Sequence, residues 1–125
     1  MTQIEMTWEN FEYCVHKLAD VIKQSKVKIS NIYGTPRGGL VVATRLSHLL
    51  GLPLVVETWR TDSNTLWVDD IVDTGKTLEH VHENWVIAVL FWNTEAAFQP
   101  EFYALTKPKN SWIVFPWEIK DRLVK

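Results

Sequence analysis

Seven consecutive apolar residues, Val86-Ile-Ala-Val-Leu-Phe-Trp92, leave no side chain to turn toward water. A strand with one wet face alternates polar and apolar residues, so an unbroken run of this length reads as a strand covered on both faces. Burial on both faces is characteristic of parallel sheets, because the crossover helices between parallel strands lie on the sheet. The run is far too short to span a bilayer.

The rest of the chain supplies the pieces such a sheet needs. From Trp8 the residues Phe11, Val15, Leu18 and Ile22 recur at spacings of three and four, which predicts an amphipathic helix. Lys28 to Tyr33 reads as a short strand, broken by Gly34-Thr-Pro-Arg-Gly-Gly39. Leu40 to Leu50 returns to helical spacing and is stopped by Gly51 and Pro53. Leu54 to Thr58 and Leu66 to Asp69 read as further strands, separated by the polar stretch Arg60 to Thr65. Gly75 to Asn84 reads as a helix with Leu78, Val81 and Trp85 on one face, and the chain after Trp92 reads as short pieces. The expected fold class is α/β, a mostly parallel sheet with helices on both faces.

Charge and composition exclude several function classes. The 125 residues carry 13 Lys and Arg against 15 Asp and Glu, a net charge of −2. That balance argues against a general nucleic-acid or membrane-surface binder. The length suits one domain over residues 1–125. The single cysteine, Cys14, excludes an internal disulfide or a cysteine-based metal cage and reads as core packing. The first residues lack the basic and apolar regions of a signal peptide, so a cytoplasmic protein is expected. Seven tryptophans are many for this length, and surfaces rich in Trp commonly pair; a homodimer or higher homo-oligomer is expected.

The chemistry concentrates in Leu66-Trp-Val-Asp-Asp-Ile-Val-Asp-Thr-Gly-Lys-Thr-Leu78. Asp69 and Asp70 at the end of a strand place two carboxylates at the sheet edge, able to accept hydrogen bonds from vicinal hydroxyls. Asp73 to Thr77, at the start of the expected helix, offers N–H groups, two hydroxyls and a positive dipole end to a phosphate. A phosphate beside paired carboxylates suits a phosphosugar, although an Asp-Thr-Gly turn is also an ordinary helix cap. A P-loop does not fit, because its leading glycine would fall at Asp70. Gly34 to Gly39 also follows a strand and precedes a helix, so both segments lie at the edge where such sheets bind ligands.

Val68 to Thr77 resembles the signature of type I phosphoribosyltransferases, which bind phosphoribosyl pyrophosphate (PRPP). Its Asp-Thr-Gly form resembles the 6-oxopurine branch. Met6-Thr-Trp-Glu-Asn10 with Lys17-Leu-Ala19, Arg37-Gly-Gly-Leu40 and Trp112-Ile-Val-Phe-Pro-Trp-Glu118 are similar, in the same order, to bacterial xanthine–guanine and hypoxanthine phosphoribosyltransferases. The resemblance implies transfer of the 5-phosphoribosyl group of PRPP to a purine, for purine salvage. Asp69 and Asp70 would hold the ribose hydroxyls, with Mg²⁺ nearby on the PRPP as an indirect ligand. Asp73, Thr74, Gly75, Lys76 and Thr77 would cradle the 5′-phosphate, with Asp73 also the proton acceptor at purine N7. Pro36, Arg37 and Gly38 would bind pyrophosphate, with a cis Pro36–Arg37 peptide. Trp112 and Ile113 would form the purine slot.

Two features depart from that pattern. Relatives place a lysine after the long apolar strand, where it donates to O6 of the base. Counting back without gaps from Trp112 puts Asn93 there, so Asn93 is assigned to purine binding, and Lys107 and Lys109, in another segment, are set aside. An asparagine amide donates to a 6-oxo group or, flipped, accepts from a 6-amino group. Relatives also carry a long loop between the second and third strands, where this chain has only Trp59 to Leu66. The intact acidic residues favour an enzyme. The short loop and Asn93 favour a PRPP- or nucleotide-binding regulator.

Overall fold

The computed structural model describes residues 1–118. Strands β2 (Asn31–Gly34), β3 (Leu54–Val55), β4 (Thr65–Val72), β5 (Val86–Trp92) and β6 (Phe102–Thr106) form one sheet, ordered β3-β2-β4-β5-β6. Every neighbouring pair in it is parallel. The apolar run forms β5, flanked by β4 and β6. Its Ala88 and Leu90 join a core with the helices α1 (Trp8–Gln24) and α2 (Gly38–Leu50). Ile87 and Val89 join a second core with Leu78 and Phe98. The strand is thus buried on both faces, as its composition requires.

The helices are shared unequally between the two faces. Both long helices pack against each other on one face, α1 toward β6 and α2 toward β4 and β2. The second face is covered by the short helix α3 (Glu79–His82) and by the connection through Phe98, whose ring stacks on His82. Beside this sheet, β1 (Thr2–Glu5) and β7 (Ser111–Val114) form a separate parallel pair, with Ile4 opposite Ile113. Among the described residues no helix is long and apolar enough to cross a membrane.

Several expected elements change length, among them the strand expected over 28–33, which forms as Asn31–Gly34. The helix expected over residues 75–84 shrinks to the four residues of α3. Gly75 takes a left-handed φ of 84°, and Thr74 uses its hydroxyl to accept from the Lys76 N–H, so turn bonding displaces helix bonding there. The strand expected over 54–58 stops at Val55, and Thr58–Arg60 turns into a 3₁₀ helix. The strand expected over 66–69 instead runs on to Val72, because β5 pairs with it through Val72 and Trp92. Asp69 and Asp70 therefore lie inside β4 and do not end it.

The start of α2 is seated directly on β4. A Cβ at Gly39 would lie 2.6 Å from the Val68 carbonyl oxygen and 2.9 Å from the Asp69 Cα, both backbone atoms that cannot swing aside. Gly39→Ala is expected to cost about 1–3 kcal/mol, the usual penalty of overpacking, read by urea unfolding.

Candidate active site

The edge of the sheet is stepped where the acidic pair sits. β2 ends at Gly34, opposite Val68, while β4 continues for four residues with β5 alone beside it. The chain leaving β2 fills the step: the Thr35 N–H donates to the Val68 carbonyl (2.9 Å), and the Leu40 N–H returns to the Thr35 carbonyl (3.1 Å). Between those bonds lie Pro36 and Arg37, joined by a cis peptide, and Gly38. A side chain at Gly38 would overlap the Asp70 carboxylate, with the Asp70 Cγ at 2.9 Å from its Cβ. The glycines thus let the start of α2 close down on the two acids.

This closure shapes the electrostatics. The Asp70 N–H donates to Asp69 Oδ1 (2.8 Å). Burial pushes the Asp69 carboxyl up to about 8, and the neighbouring Asp70 charge adds to it. Asp70 is also raised, chiefly by burial and further by the charge of Glu118, while its bond with Asp69 works the other way. Two adjacent carboxyls so placed titrate as a unit and favour holding a proton near neutrality. Hydroxyl donors or a divalent cation would relieve the same penalty.

Beyond the pair, Asp73 to Thr77 forms a cradle around a pocket of about 230 Å³, lined by residues 69–75 with Thr77 and Leu78. The Ala97 N–H donates to the Thr74 carbonyl (2.8 Å), which ties the cradle to the connection after β5. A Cβ at Gly75 would meet the Ala97 nitrogen at 3.0 Å. Because α3 begins only at Glu79 and lasts one turn, the cradle offers loop N–H groups and hydroxyls without a substantial helix dipole. Lys76 is exposed and does not line the pocket.

A second cavity of about 360 Å³ adjoins the first and shares Asp70, Ile71 and Asp73 with it. Trp112 and Ile113 of β7 line its far side, and Trp112 stays 56% exposed, leaving its indole face open. Trp117 instead stacks on Phe115 (5.0 Å between ring centroids) and packs edge-on against Phe11.

Lys107 also lines this cavity, and Asn93 does not. The Lys107 Nζ lies 3.0 Å from Asp73 Oδ1, its side chain only 12% exposed. Asn93 meets the same oxygen through Nδ2 at 3.0 Å. Gapless counting set Lys107 aside as part of another segment, and the fold brings it to the site. The signal that could have found it is strand register: Trp92 pairs with Thr106, so the residues that follow β5 and β6 leave the sheet together.

No protein-family model matches the chain. The structure of a purine phosphoribosyltransferase from Pyrococcus horikoshii Ot3 superposes with a TM-score of 0.79 and 34% identity, covering 94% of this chain and 95% of that one. The chain belongs to the type I phosphoribosyltransferase family. The xanthine-guanine phosphoribosyltransferase of Gluconobacter oxydans (strain 621H) is 25% identical over 139 aligned positions, 90% of this chain and 83% of that protein. The Helicobacter pylori xanthine-guanine-hypoxanthine phosphoribosyltransferase shares the fold, with a TM-score of 0.79 at 22% identity over 98% of this chain and 97% of that one.

The acidic pair gives this phosphoribosyltransferase a defined pH response. An acid whose pKa is higher folded than unfolded holds more protons when folded. Its contribution to stability therefore falls as pH rises from about 4 to about 8, then levels off. Asp69→Asn cannot ionise, so without ligand it should gain on the wild type across that window by on the order of 1–3 kcal/mol. Urea unfolding of both proteins at pH 4.5 and pH 8 checks this; a constant difference would mean that Asp69 is not held protonated.

Proposed function

We propose that the chain transfers the 5-phosphoribosyl group of PRPP to a 6-oxopurine, giving a nucleoside 5′-monophosphate and pyrophosphate. The observation that carries this reading is the meeting of two cavities at Asp70 and Asp73, one bounded by acids and a hydroxyl-bearing loop, the other by an indole and a lysine. A phosphoribosyl group needs the first set, and a planar base with a carbonyl needs the second.

In this reading Thr74 to Thr77 hold the 5′-phosphate through loop N–H groups and hydroxyls, and Asp69 and Asp70 accept from the ribose 2′- and 3′-hydroxyls. Pro36, Arg37 and Gly38 face the pyrophosphate. The same buried pair suits a hard divalent cation, and Mg²⁺ carried on PRPP near Asp69 and Asp70 would offset charge on the departing pyrophosphate. The base stacks on Trp112 beside Ile113. A purine nitrogen bonds to C1′ as the bond from C1′ to pyrophosphate oxygen breaks, and Asp73 accepts the proton from N7.

Lys107 takes the role first given to Asn93. Its ammonium donates to the base carbonyl, leaving Asp73 as the base enters, and favours an acceptor at position 6 over an amine. The xanthine-guanine specificity named for the Gluconobacter oxydans relative supports a 6-oxopurine here. The connection between β3 and β4 is short and exposes Val56 (61%) and Trp59 (80%). These apolar surfaces support self-association, with a second copy covering that edge.

An assay with PRPP, Mg²⁺ and guanine, hypoxanthine, xanthine or adenine tests the proposal. Nucleotide should form with at least one 6-oxopurine and not with adenine. A preference for adenine would overturn the base assignment, and PRPP binding without turnover would favour a regulator. Lys107→Met should lower kcat/KM for the 6-oxopurine by about 10–100-fold, the value of one charge-assisted hydrogen bond.

A further inference from the structure

Asn93 lines neither cavity but bonds to Asp73, which lines both, and its bonding fixes which way it faces. Its N–H donates to the Val72 carbonyl (2.8 Å), which pins the residue to the end of β4, and its own carbonyl accepts from the Ala96 N–H (2.9 Å), which closes a turn. Its side-chain Oδ1 accepts from the Glu95 N–H (3.1 Å). Only oxygen can accept there, so the amide nitrogen is turned to Asp73, with Nδ2 at 3.0 Å from Oδ1. The flipped amide would set NH₂ against N–H and oxygen against carboxylate.

Lys107 reaches the same Asp73 Oδ1 (3.0 Å). Two donors thus converge on one carboxylate oxygen, and Oδ2 accepts no hydrogen bond from the described residues. Lys107 leaves this oxygen once it serves the base carbonyl, whereas Asn93 is tied to the backbone and stays.

We propose that Asn93 is a positioning residue, which clamps Oδ1 of Asp73 during turnover and so holds Oδ2 toward the purine proton. This rests on the reading that Asp73 accepts that proton and that Lys107 serves the base. Asn93 itself touches neither the base nor PRPP.

The test is a double-variant cycle with PRPP, Mg²⁺ and the preferred 6-oxopurine. Asn93→Ala removes the clamp. Asn93→Asp keeps an acceptor for the Glu95 N–H, and with it the turn, but sets a carboxylate against Asp73. Each should lower kcat by about 10–100-fold, the cost of a misplaced reacting group, with KM for PRPP and base within about threefold. Asn93→Ala combined with Asp73→Asn should be no slower than Asp73→Asn alone, because Asn93 acts through Asp73.

Wild-type kcat in both Asn93 variants, or a higher base KM at unchanged kcat, would overturn the proposal. So would losses that multiply in the double variant. Undiminished kcat in Asp73→Asn would overturn both this proposal and the proton-acceptor reading. A loss there with undiminished kcat in the Asn93 variants would overturn this one alone.

Discussion

Two carboxylates on adjacent residues, half-buried at the step where β2 stops and β4 continues, are the constraint on which the rest of the site depends. Burial of an acid pair is costly unless a partner offsets it. Here the start of α2 closes over the pair, which only residues without side chains at positions 38 and 39 permit. The same closure carries Pro36 and Arg37 to the step. Folding thus leaves a site whose electrostatics favour a ligand bearing hydroxyls or a cation.

The second cavity depends on the first through Asp73. That carboxylate lies just past the end of β4, where residues leaving β5 and β6 converge on it. Parallel pairing makes the convergence possible, since neighbouring strands end at one edge and bring distant residues together. Trp112 comes from outside the main sheet, on β7, and closes the opposite wall. The site is therefore assembled at a sheet edge and covered from the side by β7.

Much of this was legible in the sequence because local pattern and chemistry agreed. The apolar run from Val86 to Trp92 specified a strand buried on both faces, and the stripe from Trp8 to Ile22 specified α1. The cis Pro36–Arg37 peptide also occurs where the family resemblance placed it. What was not legible depended on tertiary pairing or on competing turns. Periodicity around Leu78 and Val81 suggested a longer helix, but Gly75 and the hydroxyl of Thr74 direct that stretch into turns. The length of β4 is set by its neighbour β5, which carries pairing past two aspartates that are poor strand formers. Lys107 was missed because sequence distance hides strand register.

The central claim is that Asp69 and Asp70 form the ribose site of a PRPP-binding pocket. Calorimetric titration of PRPP with Mg²⁺ into the wild type and into the Asp69→Asn, Asp70→Asn double variant tests it most directly. Each charge-assisted bond is worth about 1.5–3 kcal/mol, so the double variant should bind at least about 100-fold more weakly. Equal affinity in the two proteins, with the variant shown to be folded, would contradict the claim.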